Sequence, residues 1–305
     1  MFYSFYDYNI IIANKIILIN RIIFAIKDFT VSFYEVKKIK KLLFKGPYFP
    51  SHDQNLMKSE GDLGAAREDF LKNRFTNVDF LLKSRYDWMN EYLKEGMKII
   101  EVGAGSGLSE LYLNQKPLIT DAVDNPWVDK YVDATKMDFE DSSLDIIIAS
   151  HTIHHFYNPA MFFFECERVL KKGGKIVISE IHTSFFMRFL LTAMRHEGYS
   201  YDIDIFNLKS IVNDKRDLWS ANCAVPEILF ENKNDFENYF TNLTIDLKEY
   251  CEFSIFPLSG GVTAKTPMPR LPIFVLKCFN FLDKILVKLS PRIFALGMRV
   301  VISKK

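Results

Sequence analysis

The sequence predicts an α/β protein built on a doubly wound parallel sheet. Three observations carry that reading. Between residues 97 and 181, short apolar runs alternate with helical stretches. Strands joined in this way run parallel, with right-handed crossovers and helices on both faces. A glycine-rich turn, "EVGAGSG" (residues 101–107), follows the first apolar run and precedes a helical pattern. Acidic residues then stand at the ends of successive strands, at Glu101, Asp121 and Asp133. Open α/β sheets bind their ligands beyond those strand ends.

The elements follow in order. Residues 1–60 read as an N-terminal extension, with helix then loop over 28–60. Within it, "NIIIANKIILINRIIFAIK" (residues 9–27) is strongly apolar, but Asn14, Lys15, Asn20 and Arg21 interrupt it as a membrane span. It lacks the small-residue cleavage site of a signal peptide. At about 100° per residue its polar positions scatter over most of a helical wheel. Two readings stay open here, a non-conforming extension and a contact with a membrane surface.

Residues 61–182 read as the core domain. A helical pattern covers 66–94. It is followed by strand 97–102, helix 107–114, strands 117–122, 129–133 and 144–149, helix 158–170 and strand 174–181. Residues 183–305 read as a C-terminal part that covers the substrate and completes the sheet. Helices are expected at 184–194 and 224–240, strands at 244–257 and 298–303. Between those strands, "PIFVLKCFNFLDKILVKL" places Lys277, Asn280, Asp283, Lys284 and Lys288 on one arc of a helix. Its apolar side is expected to pack as a lid over the strand ends, with Lys277, Lys284 and Lys288 outside; the alternative is that the helix lies on a membrane, its lysines favouring anionic lipid.

Composition narrows the function. The 305 residues are 49% hydrophobic and 25% charged, a globular balance. A formal net charge of +1 gives no whole-protein field for nucleic acid. The four cysteines, Cys166, Cys223, Cys251 and Cys278, stand alone. That usage suits a reducing cytoplasm rather than a disulfide framework.

The glycine turn is the most informative motif. A dinucleotide fingerprint wants glycines at positions 1, 3 and 6. Here Gly103 and Gly105 fit, but the sixth position is Leu108 and the third glycine is Gly107. Glu101 precedes the turn, and a carboxylate there suits a cationic amine better than a diphosphate. At this point the chain resembles the class I S-adenosylmethionine-dependent methyltransferases, in particular the type 11 group. The resemblance rests on "EVGAGSG", on Asp121 in "LITDAV", on "VDATKMDFEDSSLDIIIAS" and on "ERVLKKGGKIVISE", in that order. One departure is "MDF" where "LPF" is usual.

The resemblance implies a Rossmann-like, seven-stranded sheet in the order 3-2-1-4-5-7-6, with the last strand antiparallel. It implies S-adenosylmethionine as cofactor, held by Glu101, Gly103, Ala104, Gly105, Gly107, Asp121, Ala122, Asp133, Ala134 and Ser150. Asp121 falls where the family binds the ribose hydroxyls, and Asp133 and Ala134 where it contacts adenine. The implied reaction is methyl transfer to an oxygen or carbon of a small molecule, with a surface-glycan sugar or lipid-linked intermediate as first expectation. Two other classes stay open: a non-catalytic cofactor-binding partner protein, and a nicotinamide-dependent oxidoreductase, which Leu108 and Glu101 disfavour.

Four histidines are candidates for proton transfer. The resemblance implies that the loop "SHTIHHFYNP" borders the substrate, which puts His151 and His154 beside it with His155 adjoining. His182 ends the fifth strand with Glu180, and His196 with Glu197 could fold back over the pocket. Each has a plain alternative as a capping, core or solvated residue. No carboxylate or cysteine shares a recognisable ligand spacing with them, so no metal is expected.

Overall fold

The computed structural model describes residues 47–49, 62–194, 197–217, 219–263 and 266–305. The N-terminal stretch 9–27 and His196 therefore lie outside the described residues. Among the described residues, no helix is long and apolar enough to cross a membrane.

Seven strands form one sheet: β1 Ile99–Val102, β2 Leu118–Asp121, β3 Lys130–Tyr131, β4 Leu144–Ser150, β5 Leu170–Ile181, β6 Leu243–Cys251 and β7 Gly297–Lys304. Their order is β3-β2-β1-β4-β5-β7-β6. β1 to β5 are parallel, and β7 runs antiparallel between β5 and β6. This is the expected Rossmann-like topology. Its reversal of direction at β1 and β4 opens a crevice beyond the carboxyl ends of those strands.

Nine α-helices are described: α1 Leu63–Asn73, α2 Thr76–Tyr86, α3 Pro159–Val169, α4 Phe185–Met194, α5 Val225–Phe230, α6 Lys233–Tyr239, α7 Ile255–Ser259, α8 Ile273–Leu289 and α9 Pro291–Phe294. β1 and β4 are buried almost throughout, as strands covered on both faces must be. One face carries an aromatic core in which Phe162, Phe163, Phe230, Phe236 and Phe240 are fully buried. The other face packs β1 and β4 against α1 and α2 through Phe70, Val78, Leu82 and Tyr86. α3 begins where Asn158 accepts from the Met161 N–H and Pro159 supplies the first turn.

The helical pattern over 66–94 is broken at Arg74, φ 38°, into α1 and α2, and ends in a 3-10 turn, Asp87–Tyr92. Four more elements differ from expectation. The helix expected over 107–114 is only a 3-10 turn, Leu108–Leu111. The helix expected over 224–240 is two helices, because Asn232 leaves helical geometry and caps α6 through the Asn234 N–H. The strand expected over 244–257 stops at Cys251, where Glu252 turns into the left-handed region at φ 57°. The fourth is α8. It packs against α2, α7 and β6 rather than over the strand ends. Asp283, expected among its outward polar residues, is buried. It accepts from the Phe253 and Ile255 N–H groups and from the Ser254 hydroxyl. The apolar Phe274, Phe281 and Leu289 are 68%, 64% and 74% exposed instead.

Candidate active site

A cavity of about 720 Å³ lies beyond the carboxyl ends of the central strands. Its first end is built almost entirely from residues 103–135. Gly103, Gly105 and Gly107 all take left-handed backbone, with φ of 60°, 54° and 61°. Their reasons differ. A Cβ on Gly103 would stand 1.9 Å from Thr152 Oγ1, and one on Gly107 would stand 2.4 Å from the Trp127 ring. Those two glycines let protein pack on protein. A Cβ on Gly105 would meet only Leu63, at 3.9 Å, so the space beside it is open to a ligand.

Asp121 ends β2 at the cavity wall. Its two oxygens accept from the Gly105 and Val123 N–H groups, at 2.8 and 2.9 Å. Each keeps a lone pair for a ligand hydroxyl. Burial raises its pKa, and these backbone donors work against the rise. Asp133 folds into a local turn in which one oxygen accepts from the Thr135 N–H and hydroxyl. Ala104, Ala122, Ala134 and Ser150 line the same end. The Asn125 Nδ2 there is buried without a hydrogen-bond partner. An open glycine face, two carboxylates with spare acceptors and an unspent amide donor fit the adenosine half of S-adenosylmethionine.

Glu101 and Gly107 do not line the cavity. The Glu101 carboxylate, 1% exposed, lies beneath the turn. It accepts from the Ser109 hydroxyl and from the Tyr86 hydroxyl at 3.3 Å. Burial pushes its pKa up to about 7, against the pull of those two donors. In this structure the carboxylate faces Ser109 and Tyr86 rather than the cavity. The carboxylate instead ties the turn to β1 and α2. Arg67 and Trp127, which sequence gave no reason to select, do similar work. Arg67 donates to the carbonyls of Ser106 and Gly107 and pairs with Glu110. The Trp127 indole donates to the Gly105 carbonyl at 2.9 Å.

The second end gathers residues that are remote in sequence. His151, His154, His155 and Tyr157 follow β4. Met187, Leu190, Leu191 and Met194 come from α4, followed by Glu197. Trp219, Phe256 and Val262 close the wall. A buried pair holds this end together: Arg85 of α2 donates from Nε and Nη2 to the two oxygens of Glu252, at 2.9 and 2.8 Å.

The histidines fall into different environments. His151 sits at φ 51°, its Nε2 buried without a hydrogen-bond partner. Burial, then the neighbouring Arg85, pushes its pKa down to about 3. His154 is buried between two acids. Its Nδ1 is 2.7 Å from Glu180 and its Nε2 is 3.8 Å from Glu197. Burial opposes charge on His154, but the two carboxylates outweigh it and push its pKa up to about 10. Glu180, which burial alone would raise, is held down at about 2 by His154. His155 Nδ1 faces the Ser220 carbonyl at 3.2 Å, and burial followed by the charge on His154 pushes it down to about 4.

His182 is not at the wall. It is buried with its ring against Tyr250, centroids 4.7 Å apart. Glu180 is also withdrawn, fully buried and accepting from the Ile153 N–H. Neither side chain lines the cavity. The strand end dips under the chain that follows β4.

The sheet order is the one expected of a class I S-adenosylmethionine-dependent methyltransferase, and the family comparison supports that class. Residues 100–178 match the family model described as "Methyltransferase domain", of the type 11 group. A Methanocaldococcus jannaschii protein described as uncharacterized is 22% identical over 165 residues, 52% of this chain and 80% of that one. An Archaeoglobus fulgidus methyltransferase structure is 18% identical, with TM-score 0.44, covering 77% of this chain and 98% of its own. A Thermotoga maritima methyltransferase structure is 13% identical, with TM-score 0.45, covering 83% of this chain and all of its own.

Proposed function

We propose that this methyltransferase acts on a hydroxyl oxygen of a small, lipid-linked acceptor, with a sugar-bearing intermediate as the acceptor class. The supporting observation is the cavity, which runs without a break from the cofactor turns to an end lined by histidines and by the apolar face of α4. When bound, S-adenosylmethionine supplies an electrophilic methyl group on its sulfonium. Asp121, Asp133 and the Gly105 backbone fix the cofactor's adenosine half. Met187, Leu190 and Leu191 exclude water from the acceptor, and Trp219 offers a flat face for a ring.

A second feature favours a lipid-linked acceptor over a free one. α8 exposes Ile273, Phe274, Phe281, Leu282, Ile285 and Leu289, flanked by exposed Lys277, Lys284 and Lys288. An apolar strip edged by cations suits the surface of a membrane rich in anionic lipid. The test uses the full chain with S-adenosylmethionine carrying a labelled methyl group. It is incubated with total lipid extract or with the water-soluble fraction of the same cells. Label passing into the organic phase supports the reading, and label found only in water-soluble products overturns it.

A further inference from the structure

Two adjacent histidines and a distant glutamate meet at the acceptor end. His154 Nε2 stands 3.8 Å from Glu197 Oε2, and His155 Nε2 stands 3.7 Å from Glu197 Oε1. All three donor atoms lie within 4.8 Å of one another. A zinc-type ion bound at about 2.0–2.2 Å sets tetrahedral donors about 3.3–3.5 Å apart. The three would have to draw together by about 1.5 Å at most.

The surroundings of these donors matter more than their spacing. Metal-bound histidines ordinarily give their other ring nitrogen to a carboxylate or carbonyl, which fixes the ring and leaves one lone pair aimed at the metal. Both histidines have their Nδ1 held in that way, and His154, which its two carboxylates keep protonated, has to release its Nε2 proton to an incoming ion. The Nδ1 of His154 is engaged by Glu180, which is anchored in turn by the Ile153 and Ile181 N–H groups. The Nδ1 of His155 meets the Ser220 carbonyl, which can only accept, so this nitrogen carries the proton and Nε2 keeps the lone pair. Glu197 is oriented by the Cys223 thiol at 3.2 Å. Two carboxylates, Glu197 on the ion and Glu180 behind His154, would offset the two charges of a divalent cation. The three donors also line the cavity, which leaves a fourth position open toward the acceptor.

We propose that His154, His155 and Glu197 form a binding site for a divalent transition-metal ion of the zinc type, with its open position facing the acceptor. Its catalytic role rests on the methyl-transfer reading, whereas the site itself does not. A bound ion would polarise the acceptor hydroxyl, whose proton would pass out through the mouth of the cavity to bulk water. The oxygen bonds to the methyl carbon as the carbon–sulfur bond breaks, and that electron pair returns to sulfur. No basic side chain is then required at the reacting oxygen.

The experiment strips the full chain with a chelator and titrates it with zinc chloride against a chromophoric zinc chelator. S-adenosylmethionine affinity is measured in parallel by calorimetry. One zinc per chain is expected. Glu197→Gln and His155→Ala should each weaken zinc at least tenfold while cofactor affinity is kept. Glu180→Gln, acting through His154, should weaken zinc by about ten- to a hundredfold. Asp121→Ala should do the reverse, losing cofactor and keeping zinc. Absence of stoichiometric zinc, or equal zinc affinity in His155→Ala and the parent chain, overturns the site. If Glu197→Gln fails to fold, the partly exposed His155 carries the test alone. Loss of cofactor binding in the parent chain would sink the methyl-transfer reading and leave the zinc result standing.

Discussion

The two ends of the cavity are built by opposite strategies. At the cofactor end, about thirty consecutive residues form most of the lining, and backbone groups hold much of it together. The Gly105 N–H meets Asp121, and the Gly105 carbonyl meets Trp127. At the acceptor end, residues 150–157, 187–194 with Glu197, 214–217 with Trp219, and 256–263 converge from across the chain. Side chains hold them: Arg85 to Glu252, His154 to Glu180, and Asn77 to the carbonyls of Leu258 and Pro269. A local turn keeps its shape when its neighbours change, whereas a converged wall depends on the whole fold.

That contrast can be broken at its strongest joint. Glu252→Ala leaves the buried Arg85 guanidinium without its partner. It should cost about 3–5 kcal/mol of stability, as other severed buried ion pairs do. Chemical denaturation measures this. A loss below about 1 kcal/mol would mean that the acceptor end does not depend on the pair.

Glu101 sharpens the comparison from the cofactor side. Its folded pKa near 7 lies above the ordinary carboxylate value. The folded state therefore holds its proton more tightly than the unfolded one. Stability should fall as pH rises from about 4.5 to about 7 and level off above, by on the order of 3 kcal/mol. Glu101→Gln should flatten that slope in denaturation curves taken between pH 4.5 and 8. An unchanged slope would remove Glu101 as its source.

The next effect separates the ends directly. Asp121→Ala should weaken S-adenosylmethionine by about 1.5–3 kcal/mol, and Trp219→Ala should leave its affinity alone. Gly105→Ala should fold yet bind cofactor poorly. Gly103→Ala should fold badly, because its Cβ meets Thr152 and not a ligand. Calorimetry paired with circular dichroism distinguishes them, and matching behaviour of the two glycine variants would contradict the division. The smallest effect belongs to α8. Each of Lys277→Glu, Lys284→Glu and Lys288→Glu should reduce binding to anionic vesicles by about 1 kcal/mol, falling further with salt. Sedimentation that does not respond to charge would exclude this face.

The same contrast explains what could be read from the sequence. The cofactor end was legible because its parts are consecutive: a glycine turn, then an acid at each strand end. Even so, spacing could not tell that Gly103 and Gly107 answer to Thr152 and Trp127, or that Glu101 points inward. The acceptor end was not legible, since nothing in "MRHEGYS" connects Glu197 with His154 and His155. Only the path of the chain after α4 brings them together. α8 failed for a different reason. Periodicity shows which residues share an arc, but not which arc meets the protein. Asp283 took the inner side because the turn after β6 offered it two N–H groups and a hydroxyl.

β7 has a consequence for how the protein is made. It lies between β5 and β6, and Lys175 meets Ser303 across 128 residues of chain. During synthesis, β1 to β5 can align while the outer edge of β5 still lacks its neighbour. That edge carries the apolar run Ile176, Val177 and Ile178, the kind of open strand that recruits another chain. The ribosome must deliver well over a hundred further residues before the edge is sealed. A nascent chain that pauses in that interval is the form of this protein most in need of a chaperone.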